Sequence, residues 1–386
     1  MDMIYLDNAA TTRPLDEVSD TVYETMKNVF GNPSSKHMKG VEAEAVIKEA
    51  KSKIAALLKV QEKEIFFTSG ATEGNNTAIL GTARRKKRSG MHIITTKLEH
   101  PSVREPFLKL EEEGFRVTYL DPDEKGIISP DDLKNALDDE TTLVSVMYVH
   151  NETGALQPIE ELGKVIKNHN KDICFHVDAV QAFGKLRVMP KALNADMVTA
   201  SAHKFHGPKG VGFLYIKEGV KCDSFIVGGG QQKNMRSGTE NVPGIAGMSK
   251  ALECVYDESF EDRIRKQYEL RDYFIKELGT IENVKVFCED SAFTAPHVVS
   301  ASFLGIKSEV LLHQLESDGV FVSSGSACSS NKPGLSFSLA AMGAAKEELD
   351  SIIRFSFSFD TKKEELDRVV GLLKTHVPFL RQFVRK

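Results

Sequence analysis

The sequence predicts an α/β protein: a large domain built on a mostly parallel sheet with helices on both faces, and a smaller α+β C-terminal domain. Three observations predict it. Short apolar runs of strand length alternate with amphipathic stretches from about residue 41 to residue 216. The chain has 386 residues, 41% of them hydrophobic, which is long for one core and ample for two. From about Glu253 the texture changes to a long charged helical pattern, isolated strands and a polar stretch rich in glycine and serine.

Taken in order, Ala43, Val46, Ile47, Ala50, Ile54, Leu57 and Leu58 recur at helical spacing, so 41–59 reads as an amphipathic helix. Residues 65–68 read as a short buried strand, and SGATEGNN (69–76) opens a second helix. The alternation continues with a strand at MHIITT (91–96), a helix over 101–113, a strand at FRVTYL (115–120) and a helix over 130–137. A strand at TLVSVMYV (142–149) and a helix over 158–168 follow. ICFHVD (173–178), DMVTA (196–200) and GVGFLYI (210–216) complete a set of seven strands. Beyond it the pattern gives a helix over roughly 257–278, strands near 284–287 and 298–303, a helix near 308–318, a strand in IIRFSFS (352–358) and a final helix.

Composition narrows the function classes. A net charge of −5 argues against nucleic acid as the main partner. No run reaches the roughly 18 apolar residues of a membrane span, and MDMIYLDNAATT lacks the pattern of a secretory signal, so a cytoplasmic protein is expected. The five cysteines (Cys174, Cys222, Cys254, Cys288 and Cys328) are scattered and form no CxxC pair, which fits a reducing compartment rather than disulfides or structural zinc. The basic run RRKKR (84–88) reads as the end of a helix, where cations suit the dipole, rather than as a nucleic-acid patch.

Four stretches carry chemistry, three of them at carboxyl ends of predicted strands, where α/β sheets place ligands. FFTSGATEG (66–74) runs from strand to helix through small residues, so Ala71 and Thr72 could present N–H groups and a hydroxyl to a phosphate. Its plainer reading is a helix capped by Ser69 or Thr72 with Glu73 in the first turn. Asp178 ends an apolar strand, where a carboxylate needs a charged or hydrogen-bonded partner; a protonated pyridine nitrogen is one, and capping the next turn is the alternative. In SAHKFHGPKG (201–210), Lys204 could form a Schiff base with an aldehyde cofactor, while Ser201 and His203 could reach a phosphate. His203 and His206 could instead hold a metal, but no further ligand stands at a supporting spacing. In SSGSACSSNKPG (323–334), Cys328 has almost no apolar neighbours, which favours a reactive thiol; the other four cysteines take the core reading.

With those residues stated, the sequence resembles a known family. LDNAATT (6–12), GNPSSKH (31–37), SGATEGNN (69–76), EHPSV (99–103), NETG (151–154), HVDAVQAFGK (176–185), SAHKFHGPKG (201–210), RSGTENVPG (236–244) and SSGSACSS (323–330) look like the cysteine desulfurases of the NifS/IscS type, class V of the fold-type I pyridoxal-phosphate enzymes. The resemblance runs over nearly the whole chain. It implies a large domain over 16–255 with a mostly parallel seven-stranded sheet, and a small domain of 1–15 and 256–386 carrying the cysteine loop. Lys204 would hold pyridoxal 5'-phosphate, Asp178 would bond its pyridine nitrogen and Gln181 its phenolic oxygen. His100 would stack on the ring and help move protons. Ala71, Thr72, Ser201 and His203 would hold the phosphate, with Thr239 reaching the phosphate of a partner subunit in a homodimer. Asn151 would sit near cofactor and substrate, Arg354 would clamp the carboxylate of L-cysteine, and Cys328 would accept the sulfur as a persulfide. The implied products are L-alanine and sulfur for an iron–sulfur scaffold or another acceptor protein. No structural metal site is implied, although Cys328 could transiently ligate an iron–sulfur cluster. A selenocysteine lyase and a class V aminotransferase are the alternative activities.

Overall fold

The computed structural model describes residues 3–324 and 336–383. In chain order its elements are β1 (Ile4–Tyr5), α1 (Asp16–Asn28), α2 (Met38–Leu58), β2 (Ile65–Thr68), α3 (Ala71–Lys86), β3 (His92–Thr96), α4 (Pro101–Glu112), β4 (Arg116–Leu120), α5 (Pro130–Ala136), β5 (Thr141–Met147), α6 (Ile159–His169), β6 (Cys174–Asp178), β7 (Met197–Ser201) and β8 (Gly212–Ile216). They continue with α7 (Val242–Val255), α8 (Phe260–Leu278), β9 (Val284–Phe287), β10 (Val298–Phe303), α9 (Ser308–Ser317), β11 (Val320–Phe321), β12 (Ser323–Ser324), α10 (Phe337–Ala341), α11 (Lys346–Asp350), β13 (Ile352–Ser356) and α12 (Lys363–Arg381).

Seven strands form the main sheet in the order β2-β8-β7-β6-β5-β3-β4. Only β8 runs against its neighbours, so the expected α/β fold with a mostly parallel sheet is what the chain adopts. The strands are continuous apolar runs because both faces are covered. Adjacent residues feed opposite cores: Ile93, Leu143, Cys174 and Met197 pack with α3 and α4 residues such as Ile79 and Phe107. Their neighbours Ile94, Val144, Phe175 and Val198 pack on the other face with Ile47, Leu162 and Met248. The basic run closes α3, with Arg84, Arg85 and Lys86 in its last turn and Arg84 bonded to both oxygens of Glu113.

Four of the described helices were not expected: the short α10 and α11, and α1 and α7. In α1, only Val18 and Thr25 are buried, so its apolar stripe is too narrow to read. In α7, Gly244 and Gly247 look like breakers. Gly247 is there for close approach: a Cβ would lie 2.4 Å from Val22 Cγ2 of α1.

A second, antiparallel sheet has the order β12-β13-β10-β9, and β1 pairs parallel with β11. Their core joins Ile4 and Leu6 to Phe274, Phe303, Phe355, Leu366 and Val370, from the other end of the chain. The segment after β1 therefore crosses between the two sheets. Ala9 N donates to Ser356 Oγ (2.8 Å), and Thr12 N donates to the carbonyl of His203 (2.9 Å).

The core reading of the four other cysteines needs correction. Only Cys174 is buried; Cys222, Cys254 and Cys288 are partly exposed. Cys222 and Cys288 lie outside regular elements, where loops that pack against α3 and follow β9 cover them incompletely. Burial still pushes the Cys222 thiol up to about 11, which keeps it protonated and unreactive.

Candidate active site

The parallel strands end along one edge of the sheet, and the segments leaving β2, β3, β5, β6 and β7 enclose a cleft of about 570 Å³. Ala71, Thr72, His100, Asn151, Asp178, Gln181, Ser201, His203, Lys204 and Arg354 all line it. Thr239 is exposed and does not line it. Cys328 lies outside the described residues.

One wall is the start of α3. Its N-cap is Gly70, with φ 149° and no capping side chain, so neither Ser69 nor Thr72 caps the helix as expected. A glycine is needed because this backbone is costly for any other residue. The first-turn N–H groups of a helix have no partner within it, and with Gly70 uncapped they offer an anion the dipole's positive end. Glu73 is turned away: its carboxylate accepts from Ser69 N (2.9 Å) and pairs with Arg236 (2.9 Å). Ser201 and His203 stand opposite. Burial and the nearby lysines pull the His203 imidazole down to about 4, so it is neutral at physiological pH.

The floor is Asp178, the last residue of β6, only 5% exposed. Its Oδ2 accepts from Asn75 Nδ2 (2.8 Å) and its Oδ1 from Val180 N (3.0 Å). The bond from Val180 N is the turn cap that was the alternative reading of Asp178. Burial pushes its pKa up, against the opposing pull of those bonds, His100 and Lys204. Asn75 also donates to Ser102 Oγ (2.9 Å). His100 caps α4, and its Nδ1 accepts from Ser102 N (3.1 Å). A backbone N–H can only donate, so the neutral His100 carries its proton on Nε2. Burial holds its pKa below the ordinary value.

Lys204 follows β7 through a single 3-10 turn. Its Nζ donates to the carbonyls of Ala9 and Ala10 (2.7 Å each), so it is not the solvated loop lysine its setting alone suggests. Gln181 Nε2 donates to the same Ala9 carbonyl (2.8 Å). Arg354, in β13, donates to Asn151 O (2.9 Å) and Asp7 Oδ1 (3.0 Å), while its buried Nε has no partner among the described residues. His203 and His206 turn to different groups, Thr11 Oγ1 and Arg13 O, and do not converge on a metal.

Sequence reasoning missed Asn75, Asp7 and Glu99. Asn75 was findable, because it stands one helical turn past Ala71 on the same face. Glu99 is buried; its Oε1 accepts from Thr96 Oγ1 (2.8 Å) and Met147 N (3.0 Å), and among the described residues its Oε2 has no partner. Burial pushes its pKa up to about 8 from 4.5. It is therefore protonated at neutral pH. Between those values the folded state holds a proton that the unfolded state has lost. The stability Glu99 contributes at low pH is thus lost as pH rises from about 4.5 toward about 8. Glu99→Gln keeps the accepting oxygen and removes the titration. Its unfolding free energy, measured from pH 5 to pH 8, gains on the parent with rising pH, at a limiting slope of about 1.4 kcal/mol per unit.

The residues suit pyridoxal phosphate: an uncapped helix start for the phosphate, a buried carboxylate bonded only by neutral amides for a cationic ring nitrogen, and a lysine between them. The comparisons agree. Residues 4–369 match the family Aminotransferase class-V. The chain is 44% identical to a cysteine desulfurase IscS of Dictyoglomus turgidum, over 98% of this chain and 95% of that one. Among solved structures, a NifS-like protein superposes with a TM-score of 0.92 at 35% identity, covering 98% of this chain and 100% of the other. SspA in complex with cysteine superposes with a TM-score of 0.79 at 32% identity, covering 92% and 98%. The chain belongs to the class-V aminotransferase family, on its branch of cysteine desulfurases of the IscS/NifS type.

Proposed function

We propose that this protein is a pyridoxal-phosphate cysteine desulfurase that converts L-cysteine to L-alanine and leaves the sulfur on Cys328. The observation that carries the proposal is the convergence of Lys204, Asp178, His100 and the uncapped start of α3 on one cleft. The relative from Dictyoglomus turgidum named for this activity supports it.

Pyridoxal phosphate, when bound, supplies an electron sink for bonds broken at the substrate's α-carbon. Lys204 would hold the cofactor and move a proton at that carbon. The N–H groups of Ala71 and Thr72, with Ser201 and His203, would hold its phosphate. Asp178 would keep the ring nitrogen protonated, and Gln181 would donate to the phenolic oxygen. His100, with its proton on Nε2, would move a proton at the departing fragment. Arg354 would bind the substrate carboxylate, beside Asn151. The Cys328 sulfur would bond to the substrate sulfur as that sulfur's bond to Cβ breaks, and Cβ would take up a proton. Cysteine plus thiol thus becomes alanine plus persulfide, with no added oxidant.

The second hydrophobic core supports a small domain of 1–15 and 256–386 beside a large one of 16–255. A homodimer gives the exposed Thr239 its role at the partner's cleft. Sulfur then passes from Cys328 to an iron–sulfur scaffold or another acceptor protein. Among the described residues no helix is long and apolar enough to cross a membrane, and a cytoplasmic setting suits a free persulfide.

The direct test is L-cysteine with a thiol reductant and the cofactor-loaded protein: alanine and sulfide appear in equal amounts. Consumption of a 2-oxo acid without sulfide would instead make it an aminotransferase. Arg354→Lys keeps the charge but loses the planar fork. Its KM for cysteine rises about tenfold or more, with a smaller change in kcat, in steady-state assays.

A further inference from the structure

His297 immediately precedes β10 of the C-terminal sheet and has no exposed surface. Its Nε2 lies 3.2 Å from Oε1 of Gln181, which belongs to the main-sheet side of the cleft. The direction of this bond follows from the other end of Gln181. The Ala9 carbonyl can only accept, so the Gln181 atom 2.8 Å from it is the amide nitrogen. Oε1 is then the atom facing His297, and His297 must donate from Nε2. The second N–H of the Gln181 amide is left for the cleft that Gln181 lines.

We propose that His297 is a positioning residue that locks the Gln181 amide, so that an N–H rather than the carbonyl oxygen faces the position of the cofactor's phenolic oxygen. This rests on the pyridoxal-phosphate reading above. A glutamine amide is nearly symmetric in shape, and it is held at both ends: its nitrogen donates to the Ala9 carbonyl and its oxygen accepts from His297. Without His297 only the Ala9 carbonyl opposes a flip that would place the amide oxygen against an anionic one. Two features suit His297 to the task. Burial, with the charges of Lys185, Arg354 and Lys204 around it, keeps the imidazole neutral, so it holds one proton. Among the described residues its buried Nδ1 has no partner, and the bond to Gln181 is the ring's polar contact there. Because His297 and Ala9 both come from chain packed with the C-terminal sheet, the seating of that sheet sets the cofactor's hydrogen bonding.

The test is a pH titration of the visible absorption band of the cofactor-loaded protein. A donor to the phenolic oxygen stabilises the state of the bound cofactor with fewer protons, so removing it raises the midpoint. His297→Leu, which fills the volume without a donor, raises the midpoint by about half a unit or more. His297→Gln, which can donate, restores it, and Gln181→Ala combined with His297→Leu shifts it no further than Gln181→Ala alone. An unchanged midpoint in His297→Leu, or additive shifts, would overturn the proposal. A measurement on the parent protein does not depend on any variant folding: ¹⁵N NMR of labelled histidine must show the His297 proton on Nε2, and a proton on Nδ1 would overturn the lock. If no visible band forms with pyridoxal phosphate, the functional reading fails, whereas the NMR result still decides the His297–Gln181 bond.

Discussion

Replacing Lys204 by alanine lowers turnover of L-cysteine by about 1,000-fold or more, the scale set by losing a positioned proton-transfer group. It also removes the covalent hold on the cofactor, so the coenzyme washes out on gel filtration where the parent retains it. The fold survives, because Lys204 sits in a 3-10 turn and its side-chain bonds run to two carbonyls of the segment after β1. Unchanged circular dichroism beside lost cofactor and lost turnover is the expected pattern. Retained turnover would show that another amine does this chemistry, and the buried Lys185, whose pKa is lowered to about 7, would be the first suspect.

Asp178→Asn has the second largest effect. The substitution keeps the shape of the floor and the acceptor for Val180 but removes the charge proposed to face the ring nitrogen. Breaking a buried charge pair costs about 3–5 kcal/mol, which corresponds to a loss of roughly 200- to 5,000-fold in kcat/KM. Because Asn75 donates to Oδ2, an asparagine at 178 that presents its NH2 there must also turn Asn75, which disturbs Ser102 and through it His100. Asn75→Ala is the control: it removes that chain of bonds but leaves the charge, and its loss of kcat/KM is the smaller of the two.

The fold was legible where information is local. Strands such as β5 and β6 are continuous apolar runs bounded by turns, and α2 and α6 carry wide apolar stripes. α1 and α7 were not legible, because Gly247 serves a close approach to α1, a fact about two segments far apart in the chain. The same limit applies to the site. Lys204, Asp178 and the 69–76 motif stand at strand ends and could be read there. Asp7, Glu99 and His297 act through contacts that no periodicity contains, and Asp7 meets Arg354 only because β1 joins the C-terminal core. Cys328, proposed from its apolar-poor surroundings, lies outside the described residues.

The central claim is that sulfur leaves cysteine for Cys328. The measurement that tests it most directly is mass spectrometry of the Cys328 peptide after one turnover of L-cysteine by the loaded protein, with alanine counted in the same sample. The account predicts one added sulfur on that peptide for each alanine, and neither from Cys328→Ala. Alanine formed equally by Cys328→Ala, with the sulfur released free, would contradict it.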